Sequence, residues 1–179
     1  IGAYKKCISL KPDYAVAYIN MGVSLKGQGN LEAAIEAFNK ALLLEPDHAA
    51  TYNNKGNALK DQGNLEAAIE AYKKALFFRP DYADVYINMG NTLRVQGKLD
   101  KAIQAYHRCI SLKPDYANAY NNLGKAYQEQ SKLNDAIEAY KKCISLKPDN
   151  IEYYINIGNA LKYQGKLDEA IEAYKRCIS

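Results

Sequence analysis

What the chain lacks narrows its possibilities first. No apolar run approaches the roughly 18 residues that a membrane-crossing helix needs, and no charged-then-apolar leader opens the sequence. A membrane partner is therefore not expected. Histidine is scarce: His48 and His107 are the only two, and neither has a metal-ligand or catalytic partner at a useful spacing. Tryptophan is missing altogether. The four cysteines, Cys7, Cys109, Cys143 and Cys177, are separated by 102, 34 and 34 residues, and Ala41 and Ala75 hold the same position elsewhere. An Ala/Cys alternation fits a tight buried contact, because a free thiol behaves as a small hydrophobe. Equivalent positions one helix pair apart exceed the roughly 7 Å reach of a disulfide. Reduced thiols, and with them a cytoplasmic or nuclear location, are expected. With no nucleophile, metal or nucleotide-sugar motif present, we expect a non-enzyme with no catalytic residue, no cofactor and no metal site. The net charge of +4 in 179 residues is a mild excess that does not point to nucleic acid.

What the sequence has in quantity is repetition, which must be sought before any domain count. Tyr86-Ile87-Asn88-Met89-Gly90 has copies at Tyr18-Ile19-Asn20-Met21-Gly22, Tyr52-Asn53-Asn54-Lys55-Gly56, Tyr120-Asn121-Asn122-Leu123-Gly124 and Tyr154-Ile155-Asn156-Ile157-Gly158, each 34 residues from the next. The period divides the chain into 1–14, a second helix without its first, full repeats at 15–48, 49–82, 83–116 and 117–150, and an incomplete repeat at 151–179. One continuous array is expected, and the incomplete ends suggest an excerpt of a longer one.

Each repeat predicts two amphipathic helices and no strand. The first runs from about 15 to 28, with Tyr18, Met21, Gly22 and Leu25 on one face. It closes at Gly29, Gly63, Gly97 and Gly165, where a left-handed cap is expected. Ser131 breaks that series and predicts a looser turn. The second runs from about 31 to 44, with Leu31, Ala34, Ile35, Phe38, Ala41 and Leu42 as its apolar stripe. Pro46, Pro80, Pro114 and Pro148 close these helices, and the following Asp47, Asp81, Asp115 and Asp149 are placed to cap the next. Glu36/Lys40, Glu70/Lys74, Glu138/Lys142 and Glu172/Arg176 are i, i+4 pairs that suit a solvated face. A terminal helix through Ile171, Tyr174 and Ile178 has no polar cap after it, which would suit end-to-end self-association.

The spacing of aromatic, Gly, Leu or aromatic, Ala, aromatic and Pro resembles the tetratricopeptide repeat. In the third repeat the matching residues are Tyr86, Met89, Gly90, Leu93, Ala102, Tyr106 and Pro114; in the fourth, Tyr120, Leu123, Gly124, Tyr127, Ala136, Tyr140 and Pro148. The resemblance implies an all-α fold, a right-handed superhelical solenoid of antiparallel helix pairs, with first helices on its concave face. Lys55 stands where other copies have Met, Leu or Ile, and is expected to snorkel toward solvent.

On the face of the first helix opposite the buried stripe stand Asn20, Asn54, Asn88, Asn122 and Asn156, one in every copy. Asn57, Asn91 and Asn159 form a second rung. Lys26, Lys60, Arg94 and Lys162 form a third, broken by Gln128, and Lys125 adds another cation. A carboxamide both donates and accepts, so a row of them can hold the main chain of an extended peptide. Helices roughly 8–10 Å apart match about three residues of extended chain at roughly 3.3 Å each. The competing expectation is that these amides bridge neighbouring helices. The ladder is similar to that of the superhelical repeat region of O-linked N-acetylglucosamine transferases, which implies the same use of the Asn series. A protein-interaction scaffold binding an extended peptide or partner segment is the leading expectation. Alternatives are the substrate-recognition arm of a larger glycosyltransferase and a purely architectural self-stacking array. Exposed groove aromatics are few apart from Tyr163, so no nucleic acid is expected.

Overall fold

The computed structural model describes residues 1–177. These form eleven α-helices and, among the described residues, no strand: α1 Gly2–Leu10, α2 Ala15–Gly27, α3 Leu31–Leu44, α4 Ala49–Asp61, α5 Leu65–Phe78, α6 Ala83–Val95, α7 Leu99–Leu112, α8 Ala117–Glu129, α9 Leu133–Leu146, α10 Ile151–Tyr163 and α11 Leu167–Lys175. The expected all-α, helix-pair architecture is present. Ile178, placed by sequence in the last helix, lies outside the described residues. The chain forms two compact units, Ile1–Thr92 and a second from Leu93 on, with the division inside α6. In the first unit α2 packs on α3, α3 on α4 and α4 on α5; in the second α7 packs on α8, α8 on α9, α9 on α10 and α10 on α11.

Short connections force each first helix back on its second. Gly29, Gly63, Gly97 and Gly165 all have positive φ, between 72° and 87°. Ser131 takes φ 60°, and the turn it closes is no looser than the others: Lys132 N–H donates to Tyr127 C=O at 2.9 Å, as Asn64 N–H does to Leu59 C=O at 2.9 Å. The backbone bonds hold the serine in a conformation that a Cβ disfavours. The Asp residues after each proline do not cap. They sit within the turn, one residue early, and the N-caps of α4 and α10 are His48 and Asn150. His48 Nδ1 accepts from Thr51 N–H at 3.2 Å, and Asn150 accepts from Glu152 N–H at 3.0 Å. Tyr14 and Tyr116, at the corresponding place, contribute no side-chain cap. Asn30 and Asn64 cap α3 and α5.

The helix pairs close on a ring over a backbone. Tyr140 of α9 is 1% exposed, and a Cβ added to Gly124 of α8 would lie 2.5 Å from its ring. Real Cβ contacts do not reach that distance, so only glycine lets the ring settle there. Phe38 makes the same demand on Gly22 at 2.6 Å. Around these rings Ala34, Ala68, Ala136 and Ala170 are buried, with Leu25, Leu59, Ile157 and Leu161 filling the space between helices. On the outer faces of the second helices the ion pairs are i, i+3 rather than the expected i, i+4: Glu70–Lys73, Glu138–Lys141 and Glu172–Lys175, at 2.7, 2.8 and 2.7 Å. Lys74 turns over the Tyr52 ring, 5.7 Å from its centroid, and is drawn from Glu70 by that attraction.

Candidate functional site

Within each unit the first helices touch across repeats, α2 with α4 and α8 with α10. Among the described residues the second helices of the same repeats, α3 and α5 or α9 and α11, make no such contact. The first helices therefore gather on the inner side of each unit, and the Asn series lies along them. Asn20 is exposed; Asn54 and Asn88 in the first unit and Asn122 and Asn156 in the second are half-buried.

The amides divide into two kinds. Asn88 Nδ2 donates to Asn53 Oδ1 at 3.0 Å, and Asn156 Nδ2 donates to Asn121 Oδ1 at 2.8 Å. Both acceptors are buried, 7% and 6% exposed, so alternate rungs bridge neighbouring helices. Asn20, Asn54 and Asn122 have no hydrogen-bonding side-chain partner among the described residues. In the second unit the bridge has a fixed polarity. Lys125 Nζ and Asn121 Nδ2 donate to Glu152 Oε1 at 2.8 and 3.1 Å. A carboxylate only accepts, so Asn121 must turn its NH₂ to Glu152 and its oxygen to Asn156. The Lys125 hydrogen bond foremost, then that of Asn121, holds the Glu152 carboxyl below the usual range.

The second rung has a partner the sequence reading missed. Asn57 Oδ1 accepts from Tyr72 Oη at 2.8 Å, and Asn159 Oδ1 accepts from Tyr174 Oη at 2.8 Å. Tyr72 is fully buried, and burial pushes its phenol well above the usual value. A buried hydroxyl needs an acceptor, and the Asn one residue past the packing glycine supplies it. The signal was in the sequence: where the ring is Phe38, with no hydroxyl, the same position is Val23. In the fourth repeat it is Lys125, and Tyr140 Oη donates instead to Gln128 Oε1 at 3.1 Å. Asn91 is half-buried on α6.

The cationic rung is largely spent on its neighbours. Lys26 Nζ lies 2.8 Å from Asp61, and Lys60 Nζ lies 3.5 Å from the same carboxylate. Arg94 pairs with Glu129, while Lys162 is exposed. Lys55 is half-buried rather than free in solvent; burial first, and the charge of Lys74 second, push its ammonium below the usual value. His107 Nε2 stands 3.0 Å from Tyr127 Oη. Among the described residues no group of three or more His, Cys, Asp or Glu could hold a metal, and no helix is long and apolar enough to cross a membrane.

Family models agree with this architecture. The tetratricopeptide repeat model matches residues 15–48, 117–150 and 151–179, and a TPR repeat model matches 56–94 and 90–131. The chain belongs to the tetratricopeptide repeat family. Among solved structures, a MamA protein is 33% identical, with 92% of this chain and 90% of that chain covered and a TM-score of 0.84. PilF of Pseudomonas aeruginosa is 24% identical over 92% of this chain and 75% of its own, with a TM-score of 0.82. YrrB, described as a TPR protein with an unusual peptide-binding site, is 23% identical over 98% and 91%, with a TM-score of 0.79. The likeness to PilF and YrrB is one of fold. No curated protein matches the chain.

Proposed function

We propose that this tetratricopeptide array is a non-enzymatic protein-interaction module that holds an extended peptide along its first helices. The observation that carries the reading is the set of carboxamides at Asn20, Asn54 and Asn122, which face the inner side and have no side-chain partner among the described residues. Each can satisfy the N–H and C=O of one peptide unit. Asn88 in the first unit and Asn156 in the second each add an oxygen beside these, their amide nitrogens being engaged by Asn53 and Asn121. Asn57, Asn91 and Asn159 flank the row, and Lys26, Lys60, Arg94, Lys125 and Lys162 form its charged margin. The peptide-binding site named for YrrB, a protein of the same fold, supports a peptide as the ligand class.

The test is the pair Asn54→Ala with Asn122→Ala, chosen because neither amide holds the fold together. Dodecapeptides selected on the wild-type chain should bind the double variant at least tenfold more weakly, since each amide makes two hydrogen bonds to its peptide unit and the four removed contribute roughly 0.5–1.5 kcal/mol each. Fluorescence anisotropy with labelled peptides gives the dissociation constants, and circular dichroism checks that the helices persist. Equal affinity for both chains would overturn the ladder.

A further inference from the structure

We infer that the second unit carries a side-chain pocket, between α8 and α10, that takes an uncharged aromatic residue of the bound peptide; this rests on the ladder reading above. A pocket of about 570 Å³ opens there, walled by Gln128, Leu133, Tyr140, Asn156, Asn159 and Tyr163. Its existence follows from three departures from the repeat pattern. Between α2 and α4 the equivalent ground is spanned by Lys26 and Asp61, 2.8 Å apart. The residues at those two positions on α8 and α10 are Gln128 and Tyr163, which cannot form that ion pair. Gln128 is instead turned inward to accept the Tyr140 hydroxyl at 3.1 Å. It does so because Lys125 stands where Asn57 serves Tyr72, and Lys125 is bound to Glu152 at 2.8 Å. Tyr163 is left 71% exposed, beside a rung of the ladder.

The occupant follows from the lining. The two ionic groups at the pocket already have partners, Lys125 in Glu152 and Glu129 in Arg94, so a charged side chain gains little there. The Tyr163 ring and Leu133 offer apolar and stacking surface, and Asn156 stands ready to hold the main chain of the same residue or its neighbour. An aromatic ring stacked on Tyr163 uses all of these at once.

The experiment is an oriented library of dodecapeptides, each position fixed in turn as every amino acid, captured on four chains: wild type, Tyr163→Ala, Gln128→Lys with Tyr163→Asp, and Asn54→Ala with Asn122→Ala. Gln128→Lys with Tyr163→Asp rebuilds the ion pair of the first unit and closes the pocket. Wild type should favour Phe, Tyr or Trp at one position by about tenfold. Both Tyr163 variants should lose that preference and still capture peptides, with unchanged circular dichroism. Absence of the preference in wild type, or its survival in both Tyr163 variants, overturns the pocket. If the Asn pair still matters in that case, the ladder stands alone; if wild type captures no peptide, both readings fall.

Discussion

At the scale of single residues, this chain shows how one buried atom dictates its neighbour. Tyr72 fills the space over Gly56 at the cost of burying a hydroxyl, and Asn57 meets that hydroxyl at 2.8 Å. Phe38 fills the same space with no hydroxyl, and Val23 suffices. Asn57→Val alone should therefore destabilise the chain by about 1–3 kcal/mol, because a buried donor is orphaned. Adding Tyr72→Phe should restore most of the loss, and urea titration of the two variants measures the coupling. Lys55 offers the opposite case. It holds a half-buried cation where Met21 and Met89 stand in neighbouring repeats, and Lys55→Met should raise stability by about 1 kcal/mol by removing the cost of burying charge.

At the scale of elements, the sequence was most informative where geometry repeats with the period. The helix-closing glycines, the prolines and the ring-over-glycine contact recur every 34 residues, so pattern alone predicts both helices of each pair. It was less informative where a partner lies in another helix. The Asn88–Asn53 and Asn156–Asn121 bonds span 35 residues, a register that only the packing of successive first helices fixes. The capping residue was missed by one place because Pro-Asp spends its Asp inside the turn, leaving His48 or Asn150 to meet the first free amides. The Glu70/Lys74 pair is absent where the Tyr52 ring competes for Lys74. Two element-scale substitutions follow. Gly124→Ala should cost about 1–3 kcal/mol, since its new Cβ must push the buried Tyr140 ring out of a packed layer. Ser131→Gly should instead stabilise the α8–α9 connection by about 0.5–1 kcal/mol, relief from a positive φ of roughly 1–2 kcal/mol less the entropy glycine adds to the unfolded chain. Thermal melts of both variants would show shifts of opposite sign; a melting temperature unchanged by Ser131→Gly would mean that the turn holds no strain.

At the scale of the whole molecule, the same buried rings and thiols set how the fold responds to alkali. Burial pushes the Cys143 thiol and the Tyr106 phenol each up to about 12, and Tyr72 and Tyr140 rise further. In the unfolded chain a thiol ionises near pH ~8.5 and a phenol near ~10. Between those values and about 12 the unfolded state has lost protons that the folded state keeps. Stability from these groups is thus complete below pH ~8.5 and falls as pH rises, by at most about 1.4 kcal/mol per pH unit for each group. Lys55 works in the other direction, since its folded ammonium titrates below the usual ~10.4, but it stands against these groups and against Tyr127 and Tyr153, which burial also pushes up. Urea titrations at pH 7.5, 9.5 and 11 should give successively lower midpoints. Cys143→Ala, which installs the residue that Ala41 and Ala75 already provide at this position, should flatten the slope between pH ~8.5 and ~10 while leaving the fall above it. An unchanged slope in that variant would place the early loss elsewhere than the thiol. A fall that persists above pH ~10 would identify the buried tyrosines, such as Tyr72 and Tyr140 packed over Gly56 and Gly124, as the groups through which alkali opens the fold.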